Sequence, residues 1–366
     1  MPVPLDDFPV HQVPLSMAYV ATGDRNFYDR SWFAGHDRTG SIMLITGLGV
    51  YPNLGVTDAF AVVRRGERQW SVKMSDELGD ARLTPTVGPY TINVVEPLQE
   101  LRLRCDADER GIGFDLTWRG SFPAVDEAPH VIRADRRVTI EAQRFAQTGV
   151  WSGVLRIGDE EIAVEPTAWV GTRDRSWGLR PIGEPEPPGR PPSSPFEGFW
   201  WVYSQLKFDE YAIVLMAQEE ADGHRVHNDA VRVWGDGRLE QLGWPEVDIS
   251  YLPGTRQPEH ATLRLRTNRE PLTVEVDMLT NIALHVGGGY GSDPDGRHGE
   301  WHGPGWITGK TYDLNEPDIR ARIPLGVVDH ACRATCGGAE GWGVFEHGTV
   351  GRHDPSGFKD FAAEAP

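Results

Sequence analysis

The chain has 366 residues, 54 acidic against 36 basic, and a formal net charge of -18 at pH 7. So acidic a surface repels phosphate backbones, which excludes nucleic acid as the natural partner. No apolar run approaches the roughly 20 residues of a membrane helix, and the N-terminal MPVPLDDFPVHQVPLSMAYV has neither the basic nor the unbroken apolar region of a secretory signal, so no transmembrane segment and a soluble, cytoplasmic protein are expected.

Thirteen tryptophans with 42 glycines and 28 prolines describe many short elements punctuated by turns, with large rings on inner faces. In chain order, period-two alternation predicts strands at SIMLITG (41–47), AFAVVRR (59–65), YTINVVEP (90–97), LRLRC (101–105) and GFDLTW (113–118). The second half repeats the style at WVYSQLKF (201–208), YAIVLMAQ (211–218), AVRVWGDG (230–237), TLRLRT (262–267) and LTVEVDML (272–279). No stretch sustains a helical period; SDELGDARL (75–83) and FKDFAAEA (358–365) are the segments expected as short helices. Cys105, Cys332 and Cys336 fit no common zinc spacing and read as reduced thiols in or near strands.

The proline-rich run beginning at Pro181 cannot join a central sheet. It divides the chain into an expected first barrel (1–185), a linker (186–197) and a second barrel (198–366). The halves also echo one another. SIMLITG and AIVLMAQ begin 171 residues apart, at Ser41 and Ala212, and DAFAVVRRGE and DAVRVWGDGR keep that offset. LRLR recurs at 101 and 263, TGVWSG at 148 resembles PGWITG at 304, and each half closes on a Trp-Gly pair, Trp177-Gly178 and Trp342-Gly343. One shared order along both halves points to an internal duplication, each copy an antiparallel barrel of about eight strands.

GTRDRSWGLRP (171–181), FWWVYSQL (199–206), VGPYTINVVEP (87–97) and GWGVFEH (341–347) together resemble the AttH-type two-domain lipocalin-like proteins, a group that includes the carotenoid 1,2-hydratases, or hydroxyneurosporene synthases, and fungal cyclases of pericyclic reactions. The resemblance implies an all-β fold of two tandem lipocalin-like antiparallel β-barrels with a hydrophobic small molecule held in or between them. It leaves the reaction open. Where hydratase-like members carry Asp-His ahead of the Trp-Gly pair, this chain has Arg175, which stays protonated and cannot cycle a proton.

The residues themselves name candidates. Hydration of an alkene needs an acid with a raised pKa and aromatic faces that shield a cation. Glu346 shares the face of Trp342 in GWGVFEHG and is the first candidate for a buried acid, with His347 beside it as base or hydrogen-bond donor. Asp174 is a further catalytic candidate, although neighbouring cations lower a carboxyl pKa and favour its orienting Arg173, Arg175 or Arg180. For the motif around it, two readings stay open: Arg175 stacked on Trp177 to close the barrel end, or both turned into a cavity to hold a ligand's carbonyl or carboxylate. The tetrapeptide recurs in YDRSW (28–32) outside the 171-residue register, as coincidence or as a second structural Arg-Trp pair. Trp200, Trp201 and Tyr203 place rings on both faces of one strand, and with His285 and Trp342 complete the expected substrate-binding set. The glycine-rich 285–306 segment lacks the Lys-Ser/Thr of a phosphate loop and is expected to lie over a barrel mouth as a lid. His298 and His302 are separated by glycine, which argues against a helical metal site, so no metal is expected. No dinucleotide fingerprint, Gly-x-Ser-x-Gly elbow or kinase motif occurs, so no cofactor is expected. An enzyme of the hydratase, isomerase or cyclase kind on a terpenoid, polyketide or lipid-like substrate leads. A non-catalytic carrier of lipophilic ligands, or a partner-binding scaffold, remains the alternative.

Overall fold

Side chains that alternate in period two leave the backbone N–H and C=O groups to be satisfied between strands rather than within helices. The computed structural model describes residues 2–183, 189–190, 193–291 and 293–366, and in them the chain is all-β, folded as two lipocalin-like antiparallel barrels. The segment expected to link them, 186–197, lies partly outside the described residues. The first sheet passes from Arg68–Glu77 through Val56–Arg65 and Ile42–Tyr51 to an opening strand, Phe27–Asp37, which pairs with a closing strand, Trp169–Leu179. It continues through Arg137–Ile157, Ile112–Gly120, Glu100–Ala107 and Tyr90–Glu96. The second sheet repeats the arrangement: Arg225–Trp234, Tyr211–Glu220, an opening strand Gly198–Phe208, a closing strand Ala339–Gly351, then Val328–Cys336, Leu272–Ala283, Pro258–Leu265 and Glu246–Tyr251.

Both barrel interiors are filled. In the first, Trp118 and Trp151 meet edge to face at 5.2 Å between ring centroids, with Phe33 against both. In the second, Leu206, Phe208, Phe345 and Val274 pack over Cys332 and Cys336. The outer faces are apolar as well. Met43, Ile45, Phe60 and Val62 of the first barrel meet Ile282, Leu284, Ala331 and Val344 of the second, while Trp201, Tyr203 and Met216 meet Phe122, Val125 and Ala146. The first of these contacts explains why Ile42–Tyr51 reads as nearly continuous apolar sequence: residues on both of its faces are buried. At about 1.5–3 kcal/mol per large side chain withdrawn from water, the contact holds the barrels as one unit.

Several sequence correspondences occupy matching places. Ile42–Tyr51 and Tyr211–Glu220 each neighbour an opening strand, and both LRLR segments lie on the third strand beyond a closing strand. Two others do not. TGVWSG lies beside the first closing strand, whereas PGWITG leads into Trp306–Asp313, which crosses over to pair with Arg68–Glu77 on the far edge of the first sheet. Trp177 pairs with Asp29 but Trp342 with Lys207, at different levels of their strands. Neither expected helix forms. Residues 78–83 are bends and turns and the tail carries only turns and a bridge, since segments so short cannot offset the cost of helix nucleation. Among the described residues no helix is long and apolar enough to cross a membrane.

The glycine-rich segment after His285 is a wedge tied to the first barrel rather than a free-standing lid. Asp293, 2% exposed, accepts from Lys73 Nζ at 3.3 Å and Arg322 Nη2 at 2.9 Å, and its Oδ2 also takes the Gly289 N–H at 2.8 Å. Asp295 adds contacts to Lys310, Tyr312 and Arg322. Asp293→Ala leaves the buried Lys73 ammonium without its carboxylate and Arg322 with Asp295 alone, and is expected to cost about 3–5 kcal/mol, read from urea unfolding followed by tryptophan fluorescence.

Candidate functional site

The two Asp-Arg-Ser-Trp segments are neighbours in space. They run antiparallel in the pairing of the first opening and closing strands, with Asp29 opposite Trp177, Arg30 opposite Ser176, Ser31 opposite Arg175 and Trp32 opposite Asp174. Alternation then separates each motif into two faces. On the barrel side, Arg175 donates from Nη2 to Asp29 Oδ2 and from Nη1 to Ser31 Oγ, each at 3.0 Å. On the outer side, Arg30, Trp32, Asp174 and Ser176 line a cavity. The recurrence of the motif is therefore a spatial contact, not a coincidence.

This cavity, ≈ 430 Å³, lies between the barrels, with Arg144, Tyr290, Phe199, Trp201, Tyr203 and Glu346 completing much of its wall. The second barrel presents matching positions. Its opening strand begins 171 residues on (198 minus 27) and its closing strand ends 172 residues on (351 minus 179). Trp32 opposite Asp174 thus corresponds to Tyr203 opposite Glu346. Each barrel contributes one aromatic and one carboxyl from the same place in its central strand pair.

The two carboxyls have different surroundings. No hydrogen bond or ion pair holds the Asp174 carboxyl among the described residues; burial pushes it up to about 6, against the opposing pull of Arg144 and Arg30 nearby. Glu346 accepts the Trp201 indole N–H at Oε1. Behind it, Asp329 is its cross-strand partner and fully buried. Among the described residues no N–H or hydroxyl donor reaches either Asp329 oxygen, and burial next to Glu346 raises its carboxyl well above the usual range.

The rest of the wall is a braced polar frame. Arg144 Nε lies 2.8 Å from Glu127 Oε2, the Tyr203 hydroxyl donates to Glu127 Oε1 at 2.6 Å, and Gln205 Nε2 donates to that hydroxyl at 3.0 Å. Burial pushes the Glu127 carboxyl up to about 7 even with Arg144 beside it. His130 stacks on Trp201 at 5.6 Å and its imidazole is pushed down to about 3, chiefly by burial, which leaves it neutral at ordinary pH.

Of the residues singled out from sequence, the cavity brings together Asp174, Trp201, Tyr203 and Glu346. His347 points the other way, into the second barrel, where Nδ1 donates to the Trp201 carbonyl at 2.7 Å and burial pushes the ring down to about 3. Trp200 also faces that interior and stacks on His353 at 5.7 Å. Arg175 belongs to the barrel-end contact with Asp29, and Trp177 is 37% exposed outside the cavity. Trp342 lies under the Arg38 guanidinium at 4.5 Å, and His285 is buried in the glycine-rich wedge, its carbonyl accepting from Arg322. Asp174 orients neither Arg173 nor Arg175, because adjacent residues of a strand point to opposite faces; Arg173 instead grips the Gln147 side-chain oxygen with two N–H groups. Expectation also failed on the acid itself, since burial outweighs the neighbouring cations at Asp174. Arg30, Arg144 and Tyr290 were not anticipated. The repeated tetrapeptide could have revealed Arg30, but nothing local marks Arg144 or Tyr290.

The fold and this cavity define the class: a two-barrel, lipocalin-like protein with its open space between the barrels. An AttH protein from Nitrosomonas europaea has a similar structure over 95% of this chain and 99% of its own, with a TM-score of 0.56 at 11% identity. Kievitone hydratase from Nectria haematococca is similar over 88% of this chain and 89% of its own, with a TM-score of 0.50 at 14% identity. The structure of CghA with Sch210972 is similar over 90% of this chain and 89% of its own, with a TM-score of 0.50 at 12% identity. At these identities the likeness is one of fold. No curated protein matches the chain by sequence. The chain belongs to DUF8625, a family of unknown function whose model matches residues 3–359.

A carboxyl raised in the folded state stabilises the fold below its unfolded pKa of 3.8 and loses that contribution as pH rises through about 6. The loss amounts to about 3 kcal/mol at full ionisation. Asp174→Asn is therefore expected to melt a few degrees above the unmodified chain at pH 8 and level with it near pH 4, as measured by differential scanning calorimetry.

Proposed function

We propose that the chain is an enzyme of the lyase or isomerase kind, a hydratase or cyclase, acting by acid–base chemistry from its own side chains on an apolar terpenoid, polyketide or lipid-like molecule bound between the barrels. One observation carries the reading. Two carboxyls from equivalent positions, Asp174 and Glu346, share one largely aromatic cavity but differ in hydrogen bonding, the arrangement by which one fold holds an acid and a base side by side.

In the hydration direction, protonated Asp174 gives its proton to an alkene carbon. The cation that develops faces the rings of Trp32, Trp201 and Tyr203, whose π-faces stabilise positive charge in a site poor in water. Water then adds to the cationic carbon and its surplus proton passes to Glu346, so the net change is addition of H and OH across the double bond. For a cyclisation the same acid polarises a carbonyl by hydrogen bonding, and the aromatic walls hold the chain folded for bond formation. Tyr203, braced by Glu127 and Gln205, keeps its ring orientation in either case. Shared fold with kievitone hydratase supports this class of reaction without specifying the substrate.

The reading is tested by incubating the protein with a panel of apolar enones, polyenes and prenylated phenols in D2O and analysing products by mass spectrometry. Proton transfer to carbon appears as deuterium uptake even where little product accumulates. Asp174→Asn is expected to lower the rate by about 10²–10⁴-fold, and the unmodified protein is expected to slow as pH rises through about 6, where Asp174 loses its proton. Tight binding with every compound recovered unchanged and unlabelled would place the chain among carriers instead.

A further inference from the structure

The polar end of the cavity contains two guanidinium groups without an anionic partner among the described residues. Arg30 is 4% exposed, yet no carboxylate among the described residues lies within ion-pair distance of it. Its one side-chain hydrogen bond runs from Nη2 to the Tyr290 hydroxyl at 2.8 Å, and its Nε is buried with no partner. The Arg180 side chain makes no hydrogen bond or ion pair among the described residues; its guanidinium rests on the rings of Tyr28 and Tyr290, at 5.2 and 5.7 Å from their centroids. Three other arginines withdrawn from solvent have partners. Arg144 has Glu127, Arg322 has Asp293 and Asp295, and Arg256 donates to four backbone carbonyls.

An unpaired buried cation is costly, and two side by side repel one another. Burial and the neighbouring Arg30 both push the Arg180 guanidinium below its ordinary value, and the site lacks a paired carboxylate among the described residues. Asp174 does not supply it, being outside ion-pair distance of both arginines, and the chain's excess of acids makes the omission local rather than compositional. Both guanidiniums border the cavity, and Arg180 and Tyr290 also border an adjoining space of ≈ 740 Å³. A ligand with its apolar body among Trp32, Trp201 and Tyr203 would bring its polar end to this junction.

We infer that the ligand of this cavity is an amphipathic acid: an apolar body with one oxyanion group, a carboxylate or its equivalent, received by Arg30 and Arg180 next to the Tyr290 hydroxyl. Forked N–H donors match two oxygens of such a group, and desolvation strengthens the contact. The inference deepens the proposed function and rests on the cavity being the binding site, but it does not require catalysis.

A matched pair of fluorescent probes tests it. 8-Anilinonaphthalene-1-sulfonate and N-phenyl-1-naphthylamine share an aromatic body, and only the first carries an anion. The sulfonate is expected to bind the unmodified chain at least about ten-fold more tightly, with an advantage that declines as salt is added. Arg30→Gln and Arg180→Gln are each expected to remove most of that advantage while leaving the neutral probe's Kd within about two-fold, and Arg180→Lys to retain part of it. Should Arg30→Gln fail to fold, the half-buried Arg180 variants carry the test by themselves. Equal affinity of the two probes, a sulfonate affinity unchanged in the arginine variants, or a parallel loss of both probes would overturn the inference. Because neither probe is turned over, the outcome is separate from the lyase reading. An anion preference without proton transfer to any compound leaves the amphipathic acid and removes the enzyme, and turnover of neutral compounds without an anion preference does the reverse.

Discussion

The pairing of an opening strand with a closing strand at the centre of each sheet is the constraint on which the rest depends. That register sets Trp32 across from Asp174 and Tyr203 across from Glu346. A slip of one residue would turn every side chain of a strand to its other face, sending both carboxyls into filled barrels and bringing Arg175 and His347 out. Hydrophobic burial on both faces of these strands makes such a slip prohibitive. Phe33 and Val202 are buried inside their barrels, while Ala34 and Tyr203 are buried between them.

Filled interiors in turn decide where a ligand has room. A barrel of this size can either pack its own rings or hold a small molecule, and here Trp118, Trp151 and Phe33 take the first barrel's space while the Trp200–Leu206 face takes the second's. The space that remains is where the outer faces do not close on each other. It is bounded by polar residues that do not close on each other as the apolar faces do: Arg30, Arg144, Asp174 and Glu346. The Trp306–Asp313 crossover and the Asp293 ion pairs tie the second half to the first sheet, and the same segment carries Tyr290 into the cavity wall.

Electrostatic character follows from this burial more than from sequence neighbours. Asp174 has arginines on both sides along the chain, which by themselves would depress its carboxyl, yet both point away and desolvation prevails. His347 follows the reverse course: a histidine next to the acid in sequence is removed from it by one strand position and held neutral as a structural donor to the Trp201 carbonyl. Glu127, remote in sequence from all of these, becomes the brace of Tyr203 and Arg144.

The amino-acid sequence by itself determined the all-β class and many of the strands, and marked Trp201, Tyr203 and Glu346 as candidates, because period-two alternation is a local property that a strand carries wherever it is placed. It also displayed the repeated Asp-Arg-Ser-Trp tetrapeptide, whose meaning is invisible without register, since residues 29 and 177 become neighbours only through a long-range pairing. Only the tertiary structure decided which face of each strand was lined by a second barrel, and so which of Trp200 and Trp201, or Asp174 and Arg175, meets the cavity. In strands buried on both sides hydrophobicity no longer distinguishes inside from outside, and the choice falls to contacts between residues far apart in the chain.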